Sequence, residues 1–316
     1  MLLASLSVLG GLVLLALGAE GLVWGASSGA RRLGISPLII GLTVVAYGTS
    51  APELVVSLHA AVGGNPDIAL GNVVGSNIAN VGLILGFAAL VAPIQIQAQI
   101  LRVDVPIMVG ISGLLLGLLW DGVIGRLNGV VLVAGAVVYT MICIWGAWDE
   151  PQDAVEEEFE AGVPAEGSVW RDVLFSIGGL ALLVLGARLL VSGAVTIAEA
   201  VGLSATVIGL TVVALGTSLP ELATAVVAAR RGQSDIVVGN VVGSNIFNVL
   251  GILGITACVQ PVDATGLSMG DIGVLLGFAV LTLPLFWTDY TFSRREGGVL
   301  LGGYVVYVGT LIAMAV

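Results

Sequence analysis

The sequence has no lysine, one histidine and two cysteines in 316 residues, and charged residues of both signs make up only 10% of it. A soluble domain carries roughly a quarter charged residues. A water-soluble fold is therefore excluded, and the 58% apolar content and mean hydropathy of +1.11 point to lipid. The two cysteines, Cys143 and Cys258, stand alone inside apolar runs without metal-ligand spacing. They exclude a disulfide framework and read as packing residues. All ten basic residues are arginines, and none builds a basic patch, so no nucleic-acid partner is expected. HExxH does not occur and no nucleophile–base pair stands out, so neither an enzyme nor a cofactor is expected.

What is present is a succession of apolar runs. Five occupy the first half: Leu2–Ala30, Pro37–Val62, Ile68–Val91, Val103–Leu119 and Ile124–Trp148. Five more follow at Val173–Ala200, Ala205–Ala229, Ile236–Val259, Ile272–Thr288 and Gly297–Val316. The first lacks a basic leader and outruns a signal peptide, so it reads as a retained helix, long enough to be tilted. Between the halves, DEPQDAVEEEFEAGVPAEGSVW concentrates acid, proline and glycine and reads as a solvated linker. Forty-six glycines without a collagen period suit closely packed membrane helices.

The halves are copies. Residues 41–86, GLTVVAYGTSAPELVVSLHAAVGGNPDIALGNVVGSNIANVGLILG, return as residues 209–254 at a constant offset of 168, with 30 of 46 positions identical. LGAEGLVWGA and LGARLLVSGA, at 17–26 and 185–194, repeat at the same offset. Copies with an odd number of spans must cross the membrane in opposite directions, giving an inverted repeat. With the N-terminus outside, Arg31, Arg32, Arg102, Arg171, Arg230, Arg231, Arg294 and Arg295 fall in the cytoplasm, and only Arg126 falls outside. The expected fold is an all-α polytopic membrane protein of ten transmembrane helices, as two inverted five-helix repeats with broken core helices. Residues 1–148 form the first repeat, 149–170 an acidic cytoplasmic linker and 171–316 the second repeat. Both termini lie outside, the bilayer is a plasma membrane, and a monomer suffices.

Chemistry enters with Glu53 and Glu221, carboxylates in apolar sequence at matched positions. An intramembrane carboxylate is a functional-site hypothesis by default. Pro52 and Pro220 have no amide hydrogen for the carbonyls of Gly48 and Gly216, so each helix should break there. Thr49 and Ser50, four and three residues before Glu53, share its helix face; Thr217 and Ser218 do the same for Glu221. Ser76 and Asn80, and their copies Ser244 and Asn248, are also four apart. Oxygen-only sets of this kind suit hard cations such as Ca²⁺ and Na⁺. Asn72, Asn77, Asn240 and Asn245 read as packing or backbone-capping residues, His59 as interfacial, and Asp67 and Asp235 as helix N-caps. Glu20 and Arg188, at equivalent positions, either pair or snorkel.

GTSAPEL and GTSLPEL, each followed by GNVVGSN, resemble the alpha-repeats of the sodium/calcium exchanger family. The resemblance spans all ten helices. It implies a core of broken second, third, seventh and eighth helices, with a tilted first and sixth pair that slides to expose the site alternately to each side. It implies cation ligation by Glu53, Glu221, Thr49, Thr217, Ser50, Ser218, Ser76, Ser244, Asn80 and Asn248, with backbone carbonyls near Ala46 and Ala214. Relatives tend to carry Asp at the position of Asn248, so this site has two carboxylates, enough to balance one Ca²⁺. The proton-coupled branch typically has Asn-x-x-Glu where this chain has Thr-Ser-x-Pro-Glu. The expected activity is Na⁺/Ca²⁺ antiport, with Ca²⁺/H⁺ antiport as the alternative.

Overall fold

The computed structural model describes residues 1–64, 66–119, 122–149, 168–200, 214–263 and 268–315. Among them, eight helices are long and apolar enough to cross a membrane, and the bent pair Pro37–Thr49 and Ala51–Val62 makes a ninth. The expected span Ala205–Ala229 begins outside the described residues and continues as Ala214–Gly216 and Leu219–Arg230. The architecture is the all-α, ten-helix inverted repeat. Its first span runs Leu2–Leu33, three residues past the sequence expectation, because paired arginines do not end a helix. Gly34 ends it, at φ 65°, with its N–H on the carbonyls of Ala30 and Arg31.

Two small strand pairs establish the inversion. β1 (Ile94–Gln95) follows the third span, β2 (Val123–Ile124) the fourth, β3 (Val262–Asp263) the eighth and β4 (Thr291–Phe292) the ninth. If the repeats ran parallel, β1 would share a side with its copy β3. Instead Ile94 pairs with Phe292, and Ile124 with Val262. Each loop is therefore clasped to a loop that only an inverted repeat puts on its own side.

Burial sorts the spans. In the most apolar stretch, 94% of Ser234–Val259 and 78% of Ile68–Val91 is buried, against 17% of Arg294–Met314, which identifies the third and eighth spans as the centre. Neither Asp67 nor Asp235 is an N-cap as expected. The helices begin one residue earlier, at Pro66 and Ser234, and proline at a first helical position is already set for the helix.

The first span and Val169–Ala200 lie almost backbone to backbone. A Cβ on Gly18 would fall 2.7 Å from the carbonyl oxygen of Gly179, and one on Gly186 would fall 2.8 Å from the amide of Leu15. Small residues are what permit such contact between membrane helices. Polar groups fasten one end of this pair. Asp172 accepts from Ser28 Oγ and from Arg32 Nε, both at 2.8 Å. Asp172→Ala, which leaves the buried Ser28 Oγ without its acceptor and Arg32 to water, is expected to lower stability by about 1–3 kcal/mol, read as a lower melting temperature in detergent. Glu20 does not pair with Arg188; its partner is Arg231.

Candidate cation site

Both repeats break their second helix at a serine, with the same geometry. Ser50 has φ −82° and ψ 6°, Ser218 φ −87° and ψ 7°, and the helices restart at Ala51 and Leu219. In the first repeat the break bends the span by 43°. Pro52 and Pro220 fall in the first turn of the restarted helices, where a missing N–H leaves no bond unmade. Glu53 and Glu221 share that turn, so each carboxylate lies in the positive end of a helix dipole. They are 1% and 2% exposed.

The two breaks are wired to each other. Ser50 Oγ donates to Glu221 Oε1 at 3.0 Å, and Ser218 Oγ donates to Glu53 Oε1 at 3.2 Å. Each repeat's serine thus holds the other repeat's carboxylate. The i, i+3 spacing puts Ser50 on the helix face of Glu53. The break redirects the hydroxyl across the interface.

The third and eighth spans meet this centre with a widened turn. Both switch to π-helix at the matched residues Asn80–Leu85 and Asn248–Leu253. Single π turns inside α-helices frequently mark functional sites. The helix of Glu53 packs on the Asn248 turn, and the helix of Glu221 on the Asn80 turn. The π turns were not legible in advance; the only signal was the recurrence of GSNIxN at the fixed offset.

The remaining candidates are placed less symmetrically. Thr49 Oγ1 donates to the carbonyl of Val45 at 3.0 Å and stands 3.0 Å from Asn240 Oδ1. Ser244 Oγ donates to the carbonyl of Ala46 at 3.4 Å. In the other arm Ser76 Oγ is 3.5 Å from Ser218 Oγ, and Thr217 Oγ1 is buried without a partner. Ala214 lies in the helical stretch Ala214–Gly216, and residues 209–213 before it lie outside the described residues. Asn72 Nδ2 reaches the main-chain carbonyl of Glu53 at 3.1 Å and Ser57 Oγ at 3.0 Å. His59 is exposed near the end of its span, away from the carboxylates. Arg188, on the sixth span, lines a crevice of about 390 Å³ together with Pro52 and Thr217.

What this arrangement can do follows from the oxygens left over. Glu53 Oε2, Glu221 Oε2, Asn80 Oδ1 and Asn248 Oδ1 are buried and accept no hydrogen bond. A buried polar atom without a partner costs about 1–3 kcal/mol, more when charged. Four unpaired acceptors, two of them on carboxylates, therefore call for positive charge. All are oxygen, the donor type of hard cations.

The family model described as sodium/calcium exchanger protein matches residues 3–145 and 172–313. The chain belongs to that family. It is a cation/Ca²⁺ exchanger of the membrane. Among its relatives is the sodium/calcium exchanger MaX1 of Methanosarcina acetivorans, 33% identical over 95% of this chain and 96% of that one. The inner membrane protein YrbG of Escherichia coli is 39% identical over 98% and 97%. The sodium-calcium exchanger NCX_Mj, in a structure soaked with zero Na⁺ and Ca²⁺, superposes with a TM-score of 0.85 at 32% identity. It covers 98% of this chain and 99% of its own.

Proposed function

We propose that the protein is a secondary antiporter that moves Ca²⁺ against Na⁺ through one shared site. The observation that carries this reading is the set of four unpaired oxygens on Glu53, Glu221, Asn80 and Asn248. Thr49, Thr217, Ser50, Ser218, Ser76 and Ser244 supply further oxygens, and the carbonyls of Ala46 and Ala214 complete the set. Ca²⁺ and Na⁺ are cargo that the site takes in turn. No bond is made or broken, so the protein acts by transport rather than catalysis.

Charge explains the coupling. Two buried carboxylates without a cation leave two uncompensated negative charges in a poorly solvated centre, which is costly. One Ca²⁺ balances them outright, as two Na⁺ would, while three Na⁺ would leave a net charge of +1. Loaded states therefore cross between outward and inward conformations, while the empty state is held back. A ligand moves such an equilibrium only by its differential affinity for the two states. The first and sixth spans, bound into one unit, slide against the core. The crevice beside Pro52 and Thr217 is the access route from one side. With the arginines of the loops in the cytoplasm, that side is the exterior, the termini are external, residues 149–170 are cytoplasmic and the bilayer is the plasma membrane.

The test is ⁴⁵Ca²⁺ uptake into proteoliposomes loaded with Na⁺, beside K⁺-loaded and pH-gradient vesicles. Uptake that requires internal Na⁺ is the expected result. Uptake driven by the pH gradient alone would replace Na⁺ by H⁺ and overturn the sodium reading.

A further inference from the structure

We infer that Asn77 and Asn245 are positioning residues, each of which fixes across the repeat interface the amide of the other repeat's cation ligand, Asn248 and Asn80. The inference rests on the cation-site reading and adds to it two residues that present no free oxygen of their own. All four asparagines are buried, at 1–3% exposure.

The wiring leaves one consistent assignment of the Asn77–Asn248 pair and favours the matching one for Asn245–Asn80. Asn77 Nδ2 lies 3.1 Å from the main-chain carbonyl of Asn245, which can only accept, so the nitrogen must face it. That turns Asn77 Oδ1 toward Asn248, and Asn248 Nδ2 donates to it at 2.8 Å. With its NH₂ group held there, Asn248 has only Oδ1 to offer elsewhere, and that oxygen has no partner. The other arm repeats the logic. Asn245 Nδ2 is spent on Met108 Sδ at 3.4 Å, its Oδ1 accepts from Asn80 Nδ2 at 3.1 Å, and Asn80 Oδ1 is left over. An amide free to turn would point NH₂ into the empty site as readily as oxygen, and a cation would have to turn it first. Holding it removes that alternative, as outer-shell hydrogen bonds do for metal ligands generally.

The pairing is crossed. Asn77 and Asn80 share a helix three residues apart, yet Asn77 serves Asn248 and Asn245 serves Asn80. The arms also differ in strength. Asn77 is anchored on a carbonyl, whereas Asn245 is anchored on a thioether sulfur, a weak acceptor. The Asn77–Asn248 arm is therefore the stiffer.

The experiment is a pair of double-mutant cycles on the full-length protein in Na⁺-free detergent. Ca²⁺ affinity is read from Ca²⁺-dependent thermal stabilisation, titrated from micromolar to tens of millimolar so that weakened sites stay measurable. Asn77→Ala should weaken Ca²⁺ about tenfold or more, and Asn245→Ala by less. Asn77→Ala should add under about twofold once Asn248 is Ala, but keep its full effect when Asn80 is Ala; Asn245→Ala should show the mirror pattern. Additive effects throughout, or coupling of Asn77 to Asn80 on its own helix, would overturn the positioning role. The cation-free melting temperature reports folding. Asn77→Ser, too short to reach Asn248, carries the same cycle where Asn77→Ala does not fold. Glu53→Gln runs alongside: wild-type Ca²⁺ affinity in that variant would sink the cation site itself, whatever the asparagine cycles show.

Discussion

Glu53→Gln and Glu221→Gln are each expected to abolish exchange while leaving the fold in place. Glutamine keeps a side-chain oxygen for Ser218 or Ser50, so the crossed hydrogen bonds that join the two breaks survive. What disappears is one of the two negative charges that the proposed site turns toward the cargo. At ~4 Å and an effective dielectric of ~20, a unit charge pair is worth ~4 kcal/mol, and Ca²⁺ brings two charges. At ~1.4 kcal/mol per tenfold, affinity should fall by more than ~1000-fold. ⁴⁵Ca²⁺ uptake into Na⁺-loaded vesicles should drop to background for both variants, with melting temperatures without Ca²⁺ near that of the wild type. Near-normal flux in either would remove that carboxylate from the site. Because the serine bonds are reciprocal, the two variants should be equally impaired. A large difference between them would show that one repeat dominates binding.

Gly179→Ala is expected to damage the protein where Gly178→Ala does not. A Cβ on Gly179 would fall 2.4 Å from the main-chain nitrogen of Leu22, a backbone atom that cannot swing aside. The first and sixth spans must then separate, at the ~1–3 kcal/mol that overpacking typically costs. Gly178 has nothing within 4 Å of the same added carbon. There the substitution should be neutral, or favourable by up to ~1 kcal/mol through helix propensity. Thermal unfolding of the two variants side by side decides it. Equal melting temperatures would mean that the pair is not held by backbone contact. A separated pair should also transport poorly if, as proposed, the two helices slide as one unit.

Much of this protein was determined by its sequence, because a bilayer leaves a chain few choices. Apolar runs of spanning length must be helices, and a five-span unit copied once must invert. The 168-residue offset therefore carried the architecture, and the carboxylates at 53 and 221 marked its centre. Their prolines marked the breaks, since a missing amide hydrogen is a local fact that any environment must respect. Where the chemistry is local, the sequence was a sufficient guide.

Tertiary structure decided the partners. Local spacing put Ser50 on the face of Glu53, but the turn at Ser50 sends its hydroxyl to Glu221, 171 residues away. Asn77 and Asn245 read as packing residues because nothing in a single helix shows that their amides meet asparagines of the other repeat. Glu20 and Arg188 share a position in the repeat, yet Glu20 found Arg231 instead. In each case the deciding contact crosses between the repeats. A repeat in sequence specifies two like surfaces, but which atoms of one meet which atoms of the other is set only when the inverted copies are packed face to face.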